Sequence, residues 1–182
     1  MNADQLINNS LGTLVSVASL GVAAQLAISL PESVSVAPIT GQSLAVLLVA
    51  HLLKEKWASI AVIVYLAIGM LGAPIFAGFK GGWEIFTGPS LGYFLGFILA
   101  AFIGGFLARK QQERFGFYLF QMLIGTLLIL LCGWIGLFRF LDGKEAFVKG
   151  ILPFLPGAFI KIIIGALLLS VVRRFKGFMK TV

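Results

Sequence analysis

Apolar residues run along this chain in long blocks, separated by short stretches that carry most of the charges, glycines and prolines. The pattern lacks the strict alternation of a half-buried strand, and it is too apolar all round for a surface helix. Blocks of about 20 such residues are what a helix needs to cross a hydrocarbon core. Six spans are expected, over 11–30, 40–53, 57–71, 90–107, 117–137 and 157–172. Pro31 closes the first, and a loop follows to Pro38. The polar Lys54-Glu55-Lys56 divides the second span from the third, and Gly72 and Pro74 close the third. The stretch 72–89 is glycine-rich, broken by proline and dotted with aromatics, too irregular for a helix and too aromatic for a plain linker. It is expected to be a loop at the membrane edge, where glycine permits close backbone approach to a ligand.

Composition strengthens this reading. The chain has 182 residues, 59% of them apolar and 12% charged, with a mean hydropathy of +1.03, whereas a soluble domain is about 45–50% apolar and about 25% charged. Six spans use nearly all of the length, so the expectation is a single all-α transmembrane domain over 1–182. No room is left for a nucleotide-binding domain of ~100 residues, and no phosphate-binding G-x-x-x-x-G-K-[ST] motif occurs. Residues 1–10 hold no lysine or arginine, so the first span is expected to be retained rather than cleaved.

The net charge of +7 resolves by position. With both termini on one side, that side carries nine basic residues (Lys54, Lys56, Arg109, Lys110, Arg114, Arg173, Arg174, Lys176, Lys180) against three acids (Asp4, Glu55, Glu113). The other side carries four basic residues (Lys80, Arg139, Lys144, Lys149) against four acids (Glu32, Glu84, Asp142, Glu145). Basic residues favour the cytoplasmic face, so both termini are expected there and the 72–89 loop outside. The excess is a topology signal and does not point to nucleic acid.

One lysine is left over, Lys161, inside the last span. It sits about four residues past Gly157, roughly 6 Å along a helix, a distance a lysine stem can snorkel. Gly157, Lys161 and Gly165 nevertheless share a face of small residues, which turns Lys161 into the bundle as an anchor for an anionic ligand. Glu84 is either a second ligand contact or a solvated loop acid. Thr40 and Gln42 offer a hydroxyl and an amide on the same outer side, and capping or packing explains them almost as well. Gly12, Ser16, Ser19, Ala23 and Ala27 form a small-residue series on the first span, suited to internal packing or to docking another membrane protein. The lone Cys132 reads as a packing residue and the lone His51 has no ligand set around it. No nucleophile–base set, metal cluster or cofactor motif appears, and no enzyme activity is expected.

Several fragments in order resemble the BioY family, the biotin-binding S-components of energy-coupling-factor transporters. They are Ala24-Gln25; 37–45, reading APITGQSLA; Tyr65-Leu66 through Gly72-Ala73-Pro74-Ile75-Phe76-Ala77-Gly78; Gly81-Gly82; Gly88-Pro89; Gly92-Tyr93; and 150–157, reading GILPFLPG, with Lys161. The resemblance covers most of the chain. It implies six helices, an external vitamin pocket beneath a mobile loop, a first-helix motif (Ala23 and Ala27) that docks a membrane coupling subunit, and two ATPase subunits that supply energy. It also implies a prokaryotic cell membrane location and a ligand site made by Lys161, Glu84, Thr40 and Gln42, with Trp83, Phe79, Tyr93 and Phe154 covering the apolar parts of biotin. Two positions depart from the family pattern. Ala158 stands where an aspartate is usual in Pro-Gly-Asp-x-x-Lys, and Glu84 stands where the loop usually has glycine. Glu84 as a substitute acceptor for ureido N–H groups is one outcome; a related acid without them, such as lipoate, is another. The residues alone also leave open a stand-alone secondary carrier or a structural membrane protein.

Overall fold

A computed structural model describes residues 3–110 and 114–178. Glu113 and Lys180 of the charge count lie outside these residues, as do the side chains of Lys54, Glu55 and Lys176. The chain forms α1 (Ala3–Gln25), β1 (Ala27–Ile28), β2 (Ile39–Thr40), α2 (Gln42–Met70), α3 (Trp83–Thr87), α4 (Leu91–Ala108), α5 (Phe115–Leu137) and α6 (Gly143–Gly150). A single 3-10 turn over Leu152–Phe154 leads into α7 (Leu155–Phe178).

Among the described residues, four stretches are long and apolar enough to cross a membrane: Asp4–Gln25, Leu91–Ala108, Phe115–Leu137 and Gly143–Arg174. Gln42–Leu53 and Lys56–Met70 are shorter apolar helices. α2 joins these two without a break in helical assignment, yet it does not run straight. Twenty-three residues of straight helix would separate Gln42 from Tyr65 by roughly 34 Å, whereas Gln42 Nε2 donates to Tyr65 Oη at 2.7 Å. α2 therefore doubles back near the polar Lys54-Glu55-Lys56, giving two antiparallel arms.

The first span ends earlier than its apolar run suggests. α1 stops at Gln25, because the next residues leave the helix to pair antiparallel with β2, Ala27 opposite Thr40 and Ile28 opposite Ile39. The charged segment between the expected spans 117–137 and 157–172 contains α6, whose Asp142 side chain caps it by accepting from the Glu145 amide at 2.8 Å. Within 72–89 the five residues of α3 are helical, a local correction to the expectation of no helix there.

Burial is inverted relative to a soluble protein. Along α4, Leu95, Leu99, Phe102 and Phe106 face outward, each 45–50% exposed. The opposite face carries Gly92, Gly96, Ala100 and Gly104, all buried. Small residues let the backbones of α4 and α5 approach closely: a Cβ on Gly136 would stand 2.6 Å from the Gly92 Cα. α1 lies against the first arm of α2, with Gly12 against Leu53 at one end and Gly41 against Ala23 at the other. α7 runs beside that same arm, its Gly165 against Leu44 and Met122.

Candidate functional site

The loops between the elements converge at one end of the bundle and leave a cavity of about 350 Å³. Its walls come from β2 and the first turn of α2, from the 76–90 segment, from α4 and α5, and from the start of α7.

One wall is polar and its side chains are linked by hydrogen bonds. The ammonium of Lys161, on the first turns of α7, donates to the Thr40 carbonyl at 2.7 Å and to Ser43 Oγ at 3.0 Å. Both partners are neutral, so the positive charge is held in place without being cancelled, and one of its three N–H groups is left over. Thr40 Oγ1 donates to Gln42 Oε1 at 3.0 Å; Gln42 Nε2 donates to Tyr65 Oη, which donates to the Ile75 carbonyl at 2.9 Å. This chain of bonds joins β2, both arms of α2 and the start of the 72–89 loop. Gln42 and Tyr65 are buried, where an unpaired polar group is costly, and each link satisfies the next.

The facing wall is aromatic. Phe76 stacks on Phe94 with centroids 4.9 Å apart, and Phe94 leans on Phe97 at 6.0 Å. Tyr93 tilts against Phe154 at 5.4 Å, while its hydroxyl donates to the Gly150 carbonyl at 2.6 Å and so ties α4 to α6. Thr126, Ile129 and Leu130 of α5 complete this side.

The third wall is the loop. Phe76 and Lys80 form a single antiparallel bridge, the Phe76 amide donating to the Lys80 carbonyl at 2.9 Å. Gln25, at the end of α1, clamps this turn from outside: its Nε2 donates to the Phe76 carbonyl at 3.1 Å and its Oε1 accepts from the Phe79 amide at 3.1 Å. Gly82 enters α3 with φ 106°, a conformation that L side chains rarely adopt, and its amide donates back to the Gly69 carbonyl at 2.7 Å.

Six residues singled out from the sequence line this cavity: Lys161, Glu84, Thr40, Gln42, Tyr93 and Phe154. Trp83 and Phe79 are not in its lining. Phe79 is 72% exposed, on a backbone turned to φ 55°, and Trp83 is 62% exposed beside Phe86. Ala23 is half-buried at the end of α1, but Ala27 belongs to β1, so the two do not share one helix face. Ser19 of the same series is exposed and Ser16 buried. The sequence assigns no site role to Ser43, Tyr65, Lys80, Phe94, Phe97 or Thr126. Phe97 lies one turn beyond Tyr93, and Thr126 is a hydroxyl in an apolar run, signals that were available. His51 Nδ1 lies 2.8 Å from Gln121 Oε1, and Gln121 Nε2 donates to the Gly104 carbonyl at 2.6 Å. These bonds tie α2, α5 and α4 together, and neither His51 nor Gln121 is in the cavity lining.

An apolar exterior, helices of membrane length and a cavity at one end define a multi-pass membrane protein with room for a small molecule. The chain belongs to the BioY family, whose sequence profile matches residues 2–177. It is 39% identical over 132 residues to "Biotin transporter BioY" of Thermotoga maritima, covering 72% of this chain and 78% of that one. To "Probable biotin transporter BioY" of Pyrococcus horikoshii it is 37% identical over 145 residues, 80% of this chain and 83% of the relative. Among solved structures, the S-component for biotin from an ECF-type ABC transporter superposes with a TM-score of 0.85 at 25% identity, covering 96% of this chain and 95% of that one. The fold is thus that of an S-component, and the relatives are named as transporters.

Proposed function

We propose that this protein captures biotin outside a prokaryotic cell and delivers it across the plasma membrane when docked on an ATP-driven coupling module. The observation that carries this reading is the Lys161 ammonium, lining the cavity with neutral partners only. A fixed cation whose desolvation is already met by folding is suited to an anionic ligand. The aromatic wall is suited to an apolar ring and chain, and about 350 Å³ falls at the compact end of small-molecule sites, which run from about 300 to 1,000 Å³. Lys161 anchors the carboxylate, Glu84 accepts from the ureido N–H groups, Thr40 and Gln42 hold the polar corner, and Tyr93 and Phe154 cover the ring. Trp83 and Phe79 join the cover when the loop settles over bound ligand.

The two arms of α2, together with α1, α4, α5 and α7, make six crossings in a single domain. The contacts of α1 and α7 with the first arm of α2 are consistent with both termini on one side, and the nine-to-three basic excess favours the cytoplasm for that side. α1, with Ala23 near its end and Ala27 just beyond it, meets the membrane coupling subunit, and two ATPase subunits supply the energy.

Native mass spectrometry of the purified protein, followed by calorimetric titration with biotin and lipoate, tests the ligand. Biotin bound by the wild-type protein is the expected result; lipoate bound in its place would move the assignment to a related acid. Uptake by liposomes containing this chain alone tests the mode of transport, and ATP-independent accumulation would make it a secondary carrier.

A further inference from the structure

The cavity lining contains three charged side chains, Lys161, Lys80 and Glu84. Lys161 is half-buried and shares two of its N–H groups with Thr40 and Ser43. Lys80 and Glu84 differ from it on both counts. Both are exposed, and among the described residues neither side chain has a hydrogen-bond or ion-pair partner. They stand four positions apart on one wall, either side of Gly81-Gly82, and their backbones are fixed. The Lys80 carbonyl closes the bridge to Phe76, the Gln25 clamp holds that turn, and Glu84 sits in the first turn of α3. A charged donor and a charged acceptor, neither with a side-chain partner among the described residues, therefore line the same loop wall of the cavity.

From this arrangement we infer that Lys80 is a specificity-determining residue, which reads the carbonyl of a cyclic urea while Glu84 takes the adjacent ring N–H. A urea edge presents an acceptor flanked by donors, so one cation and one carboxylate on the same wall match two neighbouring positions of it. Neutral and strongly dipolar, the edge fits between opposite charges better than a carboxylate, which Glu84 would repel. The ligand carboxylate is then directed to Lys161. The charges agree: two cations and one anion leave the cavity at +1, suited to a monoanion with a neutral head group.

This inference rests on the biotin reading and adds an orientation to it. It is tested by titrating the full chain, in detergent, with biotin and with biotinamide, which keeps the urea and lacks the carboxylate. Lys80→Gln is expected to weaken both ligands about fivefold, as for an accessible charged contact, leaving their ratio unchanged. Lys80→Arg is expected to retain near wild-type affinity, and Lys161→Gln to weaken biotin while sparing biotinamide. An unchanged biotin affinity in Lys80→Gln overturns the inference. So does a loss confined to biotin, which would place the carboxylate at Lys80. A wild-type protein that binds neither ligand overturns the biotin reading itself.

Discussion

The two polar walls of the cavity contain similar chemical groups and are built in opposite ways. On the α2–α7 side, Thr40, Gln42, Ser43, Tyr65 and Lys161 are linked by hydrogen bonds of 2.7–3.0 Å. On the loop side, the backbone is tied by Gln25 and by the Phe76–Lys80 bridge, while the Lys80 and Glu84 side chains have no bonded partner among the described residues. The first wall uses its bonds to hold a charge in place; the second holds its backbone and leaves its charges available. Affinity should therefore be most sensitive to the first wall, and discrimination between head groups to the second.

The strongest way to break the contrast is to remove the charge from the tied wall. Lys161→Ala should weaken biotin binding more than tenfold, equivalent to ~1.4 kcal/mol or more, measured by titration calorimetry; wild-type affinity would contradict the anchor role. Next, Tyr65→Phe strands Gln42 Nε2 and the Ile75 carbonyl in a buried setting and should cost about 1–3 kcal/mol of stability, read as a lower unfolding temperature in detergent. No change in that temperature would mean that the bond chain is not under tension from burial. Glu84→Gln keeps an acceptor oxygen and loses its charge, and since charge-assisted bonds are about twice as strong as neutral ones, biotin affinity should fall about threefold with stability unaltered. The smallest effect belongs to Gln25→Ala, which should leave affinity within about twofold but speed hydrogen exchange at the Phe79 amide. Equal protection at Phe79 in the variant would remove Gln25 as the clamp.

How much was legible beforehand depended on whether hydropathy or tertiary geometry decided the matter. α4, α5 and α7 lie close to the expected spans because apolar runs bounded by charge or proline leave few alternatives. The end of α1 was overestimated because Leu26, Ile28 and Leu30 are as apolar as the helix before them, and hydropathy does not register a two-residue strand pairing. α6 was missed although Asp142 and Glu145 carry the spacing of an N-terminal cap, since charge was taken to mean loop. Lys161 was found because it was the one cation that topology left over. Lys80 was overlooked for the converse reason: its charge had already been accounted for by topology. Tyr65 stayed hidden because only the fold-back of α2 brings its hydroxyl to Gln42, and no local pattern records a contact between residues 23 positions apart.

The glycine seam between α4 and α5 bears on how such a site changes its cargo. With backbones this close at Gly92 and Gly136, a larger side chain on the aromatic wall's own scaffold forces two helices apart, so altering the shape of that wall is mechanically expensive. The side chains at positions 80 and 84 are exposed and, among the described residues, bonded to no other. A chain of this design can exchange the head group it recognises by point substitution at the rim, while the hull that surrounds the rest of the molecule stays as it is.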